Sequence, residues 1–215
     1  MKIILTTSMS GLGGTENATF RLGRLLKQRG HDIVLASSDG PLIQEAQALG
    51  IRWQPIDFYQ GGLLGYVKGM FAYMKLLKKE KPDVIHCHGW ISSIVPFYIK
   101  KAFCEEPTFA ETKVVYSAYE DTLTLAPREN FPECVDFREA KQSLLAETGI
   151  DFSTPQSLDL LGAHFSDGVV QLGSSSAVVD HARAQGIPVL EPSKDSADVE
   201  AYANFYEQIV GGDAE

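Results

Sequence analysis

Short apolar runs alternate along this chain with longer stretches of helical spacing. The apolar runs fall at Lys2–Thr7, Ile33–Ala36, Ile51–Ile56, Val84–His88, Lys113–Ala118, Asp167–Leu172 and Ile187–Leu190. Each has a length suited to a strand buried on both faces. After the first run, Phe20, Leu22, Leu25 and Leu26 share one side of a helix, with Arg21, Arg24, Lys27 and Arg29 opposite and Gly30 placed to end it. A second helix starts at the turn Ser38–Pro41 and runs to Leu49, where Gly50 stops it. Leu63, Val67, Met70, Met74 and Leu77 then step by four and three, a helical stripe that Pro82 closes. Further helices are expected over Gly89–Lys101, Phe137–Glu147, Ser157–His164, Ser174–Gln185 and Ala197–Val210, with a frayed tail at 211–215. Residues 119–155, broken by Pro127, Pro132 and Pro155, are the least regular.

This alternation predicts an α/β fold, a mostly parallel sheet with helices on both faces, as a single domain over residues 1–210. Ligands in such sheets bind at the carboxyl ends of the strands. The loop Ser8–Gly14, His88 and Ser117 all fall at such ends. The loop runs from a strand into a helix opened by Thr15-Glu16, so backbone N–H groups and the positive end of a helix dipole meet at one spot. The dinucleotide pattern fails there, because the last required glycine is Glu16. A P-loop fails too, for want of Gly-Lys-Ser/Thr.

His86 and His88 stand two apart on a strand and share a face, with Cys87 on the other. No third ligand stands out by spacing, so no metal site is expected. His86 reads as a hydrogen-bonded core residue and His88 as the site candidate, beside Gly89 and Trp90. Trp90 suits stacking on a sugar ring or packing under the next helix. Ser117 has no His/Asp partner by pattern, so a hydrolase triad is not expected.

Composition bounds the rest. At 215 residues, 44% hydrophobic and 22% charged, the chain can bury one large core. No apolar run approaches the ~20 residues of a membrane helix, and no signal-peptide pattern precedes the first strand. The 3 cysteines, Cys87, Cys104 and Cys134, show no paired spacing. These features together predict a cytoplasmic protein. Net charge is −9 and uneven: residues 1–100 hold 12 Lys/Arg against 7 Asp/Glu, and residues 101–215 hold 7 against 21. Nucleic acid is therefore not an expected partner. The Lys68, Lys75, Lys78 and Lys79 face reads as solvated, with weak peripheral membrane contact as the alternative.

Gly-Leu-Gly-Gly-Thr-Glu16 followed by Arg-Leu-Gly-Arg-Leu-Leu-Lys-Gln-Arg-Gly-His31 resembles the opening of family-four glycosyltransferases, over about residues 1–85. From Pro82, the segments Pro-Asp-Val-Ile-His-Cys-His-Gly-Trp90, Val-Pro-Phe-Tyr-Ile-Lys-Lys101, Lys-Val-Val-Tyr-Ser117 and Phe-Ser-Asp-Gly-Val-Val170 resemble the N-terminal domain of bacterial glycogen/starch synthases, most closely the short, single-domain Bacteroides type. A switch of family near 82–90, as in a mosaic or chimera, would account for both likenesses and for the charge asymmetry.

The resemblance implies the N-terminal, acceptor-side half of a Rossmann-like GT-B fold. It further implies transfer of a hexosyl group from ADP-glucose or a UDP-sugar, with no cofactor, once a C-terminal domain is supplied by another segment or chain. It places Gly13, Gly14, Thr15 and Glu16 at the donor phosphate or ligand, and His88, Trp90 and Ser117 along the cleft toward a glycan acceptor; no residue is assigned a catalytic role. Three positions depart from the family. Its loop lysine is replaced by Met9, Ser10 or Gly11, its aspartate after the second histidine by Gly89, and its histidine after the fifth strand by the Ser117–Tyr119 region. The alternative is a non-catalytic glycan- or partner-binding module that keeps the fold.

Overall fold

The structure is a computed structural model and describes residues 1–7, 10–11, 13–57, 62–88, 93–119, 126–172, 176–191 and 199–211. Its strands are β1 (Lys2–Thr6), β2 (Asp32–Ser37), β3 (Arg52–Pro55), β4 (Val84–His88), β5 (Lys113–Ala118), β6 (Gly168–Gln171) and β7 (Val189–Leu190). Its helices are α1 (Gly14–Gln28), α2 (Leu42–Ala48), α3 (Gly62–Glu80), α4 (Ile94–Lys101), α5 (Gln142–Glu147), α6 (Ser157–His164), α7 (Ser176–Ala184) and α8 (Val199–Gly211). The strands form one 7-stranded sheet in the order β3-β2-β1-β4-β5-β6-β7. Every pairing is parallel. This is the expected Rossmann-like α/β architecture, and strand order reverses between β1 and β4.

The sheet is covered on both sides, which is why its strands read as unbroken apolar runs. Ile3 and Leu5, with Ile33, Leu35, Val84, Val115 and Val170, pack on one side with Leu26 of α1 and Phe205, Tyr206 and Ile209 of α8. Ile4, Val34, Ile85, Cys87, Val114, Tyr116 and Val169 alternate to the other side, against Tyr73 and Leu77 of α3 and Phe97 of α4. On α1, Phe20, Leu22 and Leu26 are buried as the spacing predicts, and Leu25 partly so.

Glycines end three helices in one way. Gly30, Gly50 and Gly186 all adopt positive φ. In each case the following N–H returns to a carbonyl five residues back: His31 to Leu26 at 3.2 Å, Ile51 to Ala46 at 3.0 Å and Ile187 to Ala182 at 2.9 Å. These Schellman closures start the next strand within three residues of the glycine.

The helix expected over Phe137–Glu147 is shorter than its spacing suggests. Phe137 and Ala140 exchange backbone hydrogen bonds of 2.9 and 3.0 Å around Arg138, whose φ is 51°. That left-handed turn cannot belong to a helix, and α5 starts only at Gln142, whose N–H is capped by Asp136 Oδ1 at 2.7 Å. Residues 89–92, expected to begin α4, lie outside the described residues. The Lys68, Lys75, Lys78 and Lys79 side chains are exposed on α3, with Lys78 paired to Glu106 at 2.7 Å. Among the described residues, no helix is long and apolar enough to cross a membrane.

Charges clasp the amino end of the sheet. Glu80, 5% exposed at the end of α3, takes both Arg52 Nη1 contacts at 2.9 Å, and Arg52 also reaches Asp32 at 2.9 Å. Lys2 Nζ donates to the Glu80 carbonyl at 2.6 Å. Glu80, through its carboxylate and its carbonyl, thus ties α3 to β3 and β1, and Arg52 carries the tie on to β2. Removing Arg52 leaves a buried carboxylate short of its main partner. Because the Arg52 side chain is 43% exposed, the expected cost of Arg52→Ala is about 2–3 kcal/mol, below the ~3–5 kcal/mol of a fully buried pair. Urea unfolding followed by tryptophan fluorescence measures it; a cost under ~0.5 kcal/mol, the scale of an ordinary surface substitution, would refute the role.

Candidate functional site

The register Ile3↔Val84 through Thr6↔Cys87 sets the carboxyl ends of β1 and β4 side by side. At such a reversal of strand order a crevice opens above the strand ends, the usual ligand position in this fold. Alternation decides what faces it. Thr7, one residue past β1, continues the Ile3–Leu5 side, and His86, His88 and Ser117 lie on that same side with Val84 and Val115. Thr6 turns the other way, where its hydroxyl meets Tyr73 Oη at 2.5 Å.

A buried polar network forms the floor. His86 is 0% exposed and held at both nitrogens, Nδ1 by Tyr206 Oη at 2.6 Å and Nε2 by Ser117 Oγ at 2.8 Å. Burial pushes its pKa well below the usual histidine range, reinforced by His88. A neutral imidazole has one donor and one acceptor, so one hydroxyl donates to the ring and the other accepts from it. His88 stacks on His86, ring centroids 4.0 Å apart, and its Nδ1 shares a 3.0 Å hydrogen bond with Tyr119 Oη. Burial lowers the His88 pKa to about 3. The ring is therefore a neutral hydrogen-bonding group at pH 7 and cannot serve as a general acid. The Tyr119 phenol is held protonated, chiefly by burial; Tyr202 and Glu16 raise its pKa further, and the Thr19 and Thr15 hydroxyls act on the same oxygen.

The rim is the glycine loop and the first turn of α1. Ser10 Oγ pairs with Ser37 Oγ at 2.6 Å. The Ser10 carbonyl receives the Leu42 N–H at 3.4 Å. The loop sits so close to the next turn that a methyl group on Gly40 would stand 2.1 Å from Ser10 O. Gly13 caps α1 in an extended conformation without a side-chain cap. Glu16 folds back over it: a methyl group on Gly13 would lie 2.3 Å from Glu16 Oε2.

The structure thus gathers most of the residues named from sequence. Gly13 and Gly14 are exposed at the rim, and Thr15 and Glu16 are half-buried beside them. His88 lies on the floor, 2% exposed. Ser117 departs from its expected place along the cleft. It is 0% exposed with its hydroxyl engaged by His86, because its register sets it beside the buried His86–His88 pair on the side that α8 covers. Trp90 lies outside the described residues. Sequence reasoning left out Thr7, Tyr202 and Tyr206. The alternation that paired His86 with His88 could have placed Thr7 on their face, but nothing local points from α8 to β4. Among the described residues, no three His, Cys, Asp or Glu side chains gather as a metal set.

Two motifs that carried the family likeness do structural work at the opposite end. Asp83 Oδ2 accepts the Lys2 N–H at 2.7 Å, and Asp167 Oδ2 accepts the Val114 N–H at 2.7 Å. Each aspartate precedes one strand and anchors the start of its neighbour.

A doubly wound parallel sheet with buried polar side chains at its reversal point is a Rossmann-like fold. Comparison with known proteins finds likeness to glycosyltransferases over part of this chain. Residues 13–107 match a family described as Glycosyl transferase 4-like, and the match runs through residues 82–90. Glycogen synthase 2 of Geobacter metallireducens is 34% identical over 82 residues, 37% of this chain and 14% of that protein. Glycogen synthase of Desulfitobacterium hafniense is 24% identical over 97 residues, 45% of this chain and 19% of that protein. The matches therefore span less than a fifth of these relatives' length. Among solved structures, Anabaena HepE in complex with UDP and glucose aligns with 89% of this chain and 43% of its own, at 15% identity and TM-score 0.47. A sucrose-phosphate synthase from Thermosynechococcus elongatus aligns over 97% and 99% of the two chains, at 10% identity and TM-score 0.49.

The floor and the rim each lead to a measurement. Unfolded histidines take protons near pH 6.5, whereas His86 and His88 stay neutral far below that. The unfolded state therefore binds more protons below pH 6.5. Stability present at neutral pH is lost as pH falls, for His88 across the window from 6.5 to about 3. Urea unfolding at pH 7 and about pH 5.5 should differ by about 2–3 kcal/mol from this pair, and His88→Asn should remove about 1 kcal/mol of the difference. A pH dependence unchanged by His88→Asn would contradict the neutral floor. At the rim, Gly40→Ala must move backbone and should cost about 1–3 kcal/mol. Gly14→Ala, with nothing within 4 Å of the added methyl, should be neutral or stabilise by up to about 1 kcal/mol. Thermal unfolding of the two variants compares them, and equal midpoints would refute the close approach.

Proposed function

We propose that this chain is the acceptor-side, N-terminal-type half of a glycogen synthase-like GT-B glycosyltransferase. In this reading the crevice above β1 and β4 receives a glycan. Gly13, Gly14, Thr15 and Glu16 form the rim that meets the ligand, and His88 lines the floor. The observation that carries the reading is the meeting of the α1 first turn with the neutral His88–Tyr119 floor at the reversal of strand order. That is where this fold binds ligands, and the rim lies within the stretch that matches the glycosyltransferase family. Hexosyl transfer from ADP-glucose or a UDP-sugar then needs a donor-binding half, from further chain or from a second protein. One side of a cleft cannot both exclude water and hold two substrates in line.

A second reading, a glycan- or partner-binding module without transfer chemistry, is favoured by one specific feature. The His88 pKa of about 3 leaves no histidine able to act as a general acid on the floor at neutral pH. The two readings share glycan binding and differ in turnover. Calorimetry should show a maltooligosaccharide binding to the purified 215-residue chain. Incubation with ADP-glucose or UDP-glucose and glycogen should release no nucleoside diphosphate above the enzyme-free rate. Turnover by the chain alone would overturn the need for a second half, and absence of any glycan binding would overturn the first reading and leave only the partner-binding form of the second.

A further inference from the structure

Away from the crevice, α6 and α7 meet through two imidazoles. His164 ends α6, and His181 lies in the last turn of α7. His164 Nδ1 and His181 Nε2 stand 3.0 Å apart, a hydrogen-bond distance, with the ring planes 38° from parallel. Both rings are half-buried, so protons from water reach them.

The two helices are held unequally. α6 is pinned to β5: Tyr116 Oη donates to Asp159, and a methyl group on Gly162 would stand 2.7 Å from the Tyr116 ring. The buried side chains among the described residues of α7 are small, Val178, Val179 and Ala182. The helix leads to β7, two residues that pair with β6 at the edge of the sheet. The ion pair from Arg183 to Glu191, just past β7, is exposed and holds weakly. The imidazole contact is therefore a large share of what keeps α7 on α6.

That contact has room for one extra proton and not for two. In the neutral pair one ring donates its N–H to the lone pair of the other. A first proton adds to the outer nitrogen of the donor ring, and the shared bond stays, now charge-assisted. A second proton must occupy the acceptor lone pair. Two N–H groups, each on a cation, then face one another across the gap. Lys101 of α4 adds a third positive charge near His164. The carboxylates of the surrounding segments are engaged elsewhere: Asp167 by Lys100 at 2.7 Å, Asp180 and Glu191 by Arg183, and Asp159 by Tyr116. Burial first, then His181 and Lys101, lower the pKa of His164, and burial lowers that of His181. Unfolded histidines take protons near pH 6.5, so the stability this pair supplies is present at neutral pH and lost as pH falls below that value.

We propose that the His164–His181 contact is an acid-sensitive latch: it stays closed with one added proton, and a second releases the α7–β7 edge of the sheet. On release this segment opens as a local unit while α6 remains on β5.

Two measurements on the 215-residue chain test the latch. In an NMR titration of the wild type, the two imidazoles should take protons in two steps more than about one pH unit apart. In His181→Gln, His164 should titrate in a single step. Hydrogen exchange, corrected for the intrinsic rate, should show α7 amides losing about tenfold in protection between pH 7 and about pH 5, the effect of one pKa displaced by one unit. In His181→Gln and in His164→Gln, whose amides hydrogen-bond without titrating, that loss should disappear. Simultaneous titration of both rings in one step would overturn the latch, and so would a loss of α7 protection that persists in both variants. Protection of α7 equal to that of β4 at about pH 5 would show the whole domain unfolding together and would overturn it as well.

Discussion

The parallel pairing of β1 with β4 is the contact on which the rest of the molecule turns. These two strands are not consecutive, and their union reverses the strand order. It also fixes a register in which the residues just past Thr6 and Cys87 stand together at the carboxyl edge. Thr7 and His88 therefore share one face, and the crevice above them follows from that register. A one-residue slip would exchange the faces. It would turn His86 and His88 into the apolar side that holds Tyr73 and Phe97, and bring Cys87 up beneath α8.

Burial of polar groups at that edge then dictates what covers it. His86 needs two partners to be tolerated in the core, and they come from distant points: Ser117, 31 residues on, and Tyr206, 120 residues on. The α8 helix is therefore more than a lid of apolar side chains. It closes the account of hydrogen bonds beneath the crevice, and its aromatic residues keep water from the imidazole pair. The same exclusion of water removes the charge from His88, which makes the floor a hydrogen-bonding surface and not a source of protons.

Much of the fold was legible from the sequence because its signals are local. Apolar runs of strand length, glycines at Gly30, Gly50 and Gly186, and the stripe through Met70, Met74 and Leu77 each record a constraint satisfied within a few residues. The Phe137–Glu147 segment was misread because helical spacing competes there with a left-handed turn at Arg138, which no composition signal marks. The candidate site was only half legible. Its rim follows from a strand, a glycine loop and a helix in succession. Its floor depends on distant cover: Ser117 was named for its place at a strand end, while its hydrogen bond to His86 keeps it buried. Tyr206 could not be found at all, since nothing near it in sequence anticipates a partner on β4.

Asp83 and Asp167 hold neighbouring strands at the edge of the sheet opposite the crevice. Asp83 lies within the stretch that matches the glycosyltransferase family. Likeness of that kind reports how the sheet is assembled, whereas ligand choice is written some five residues away along each strand, in side chains the clasps do not touch. The two ends can diverge independently. A chain can keep the foundation of a glycosyltransferase half while its crevice is refitted for a different guest, and overall similarity would register almost none of the change.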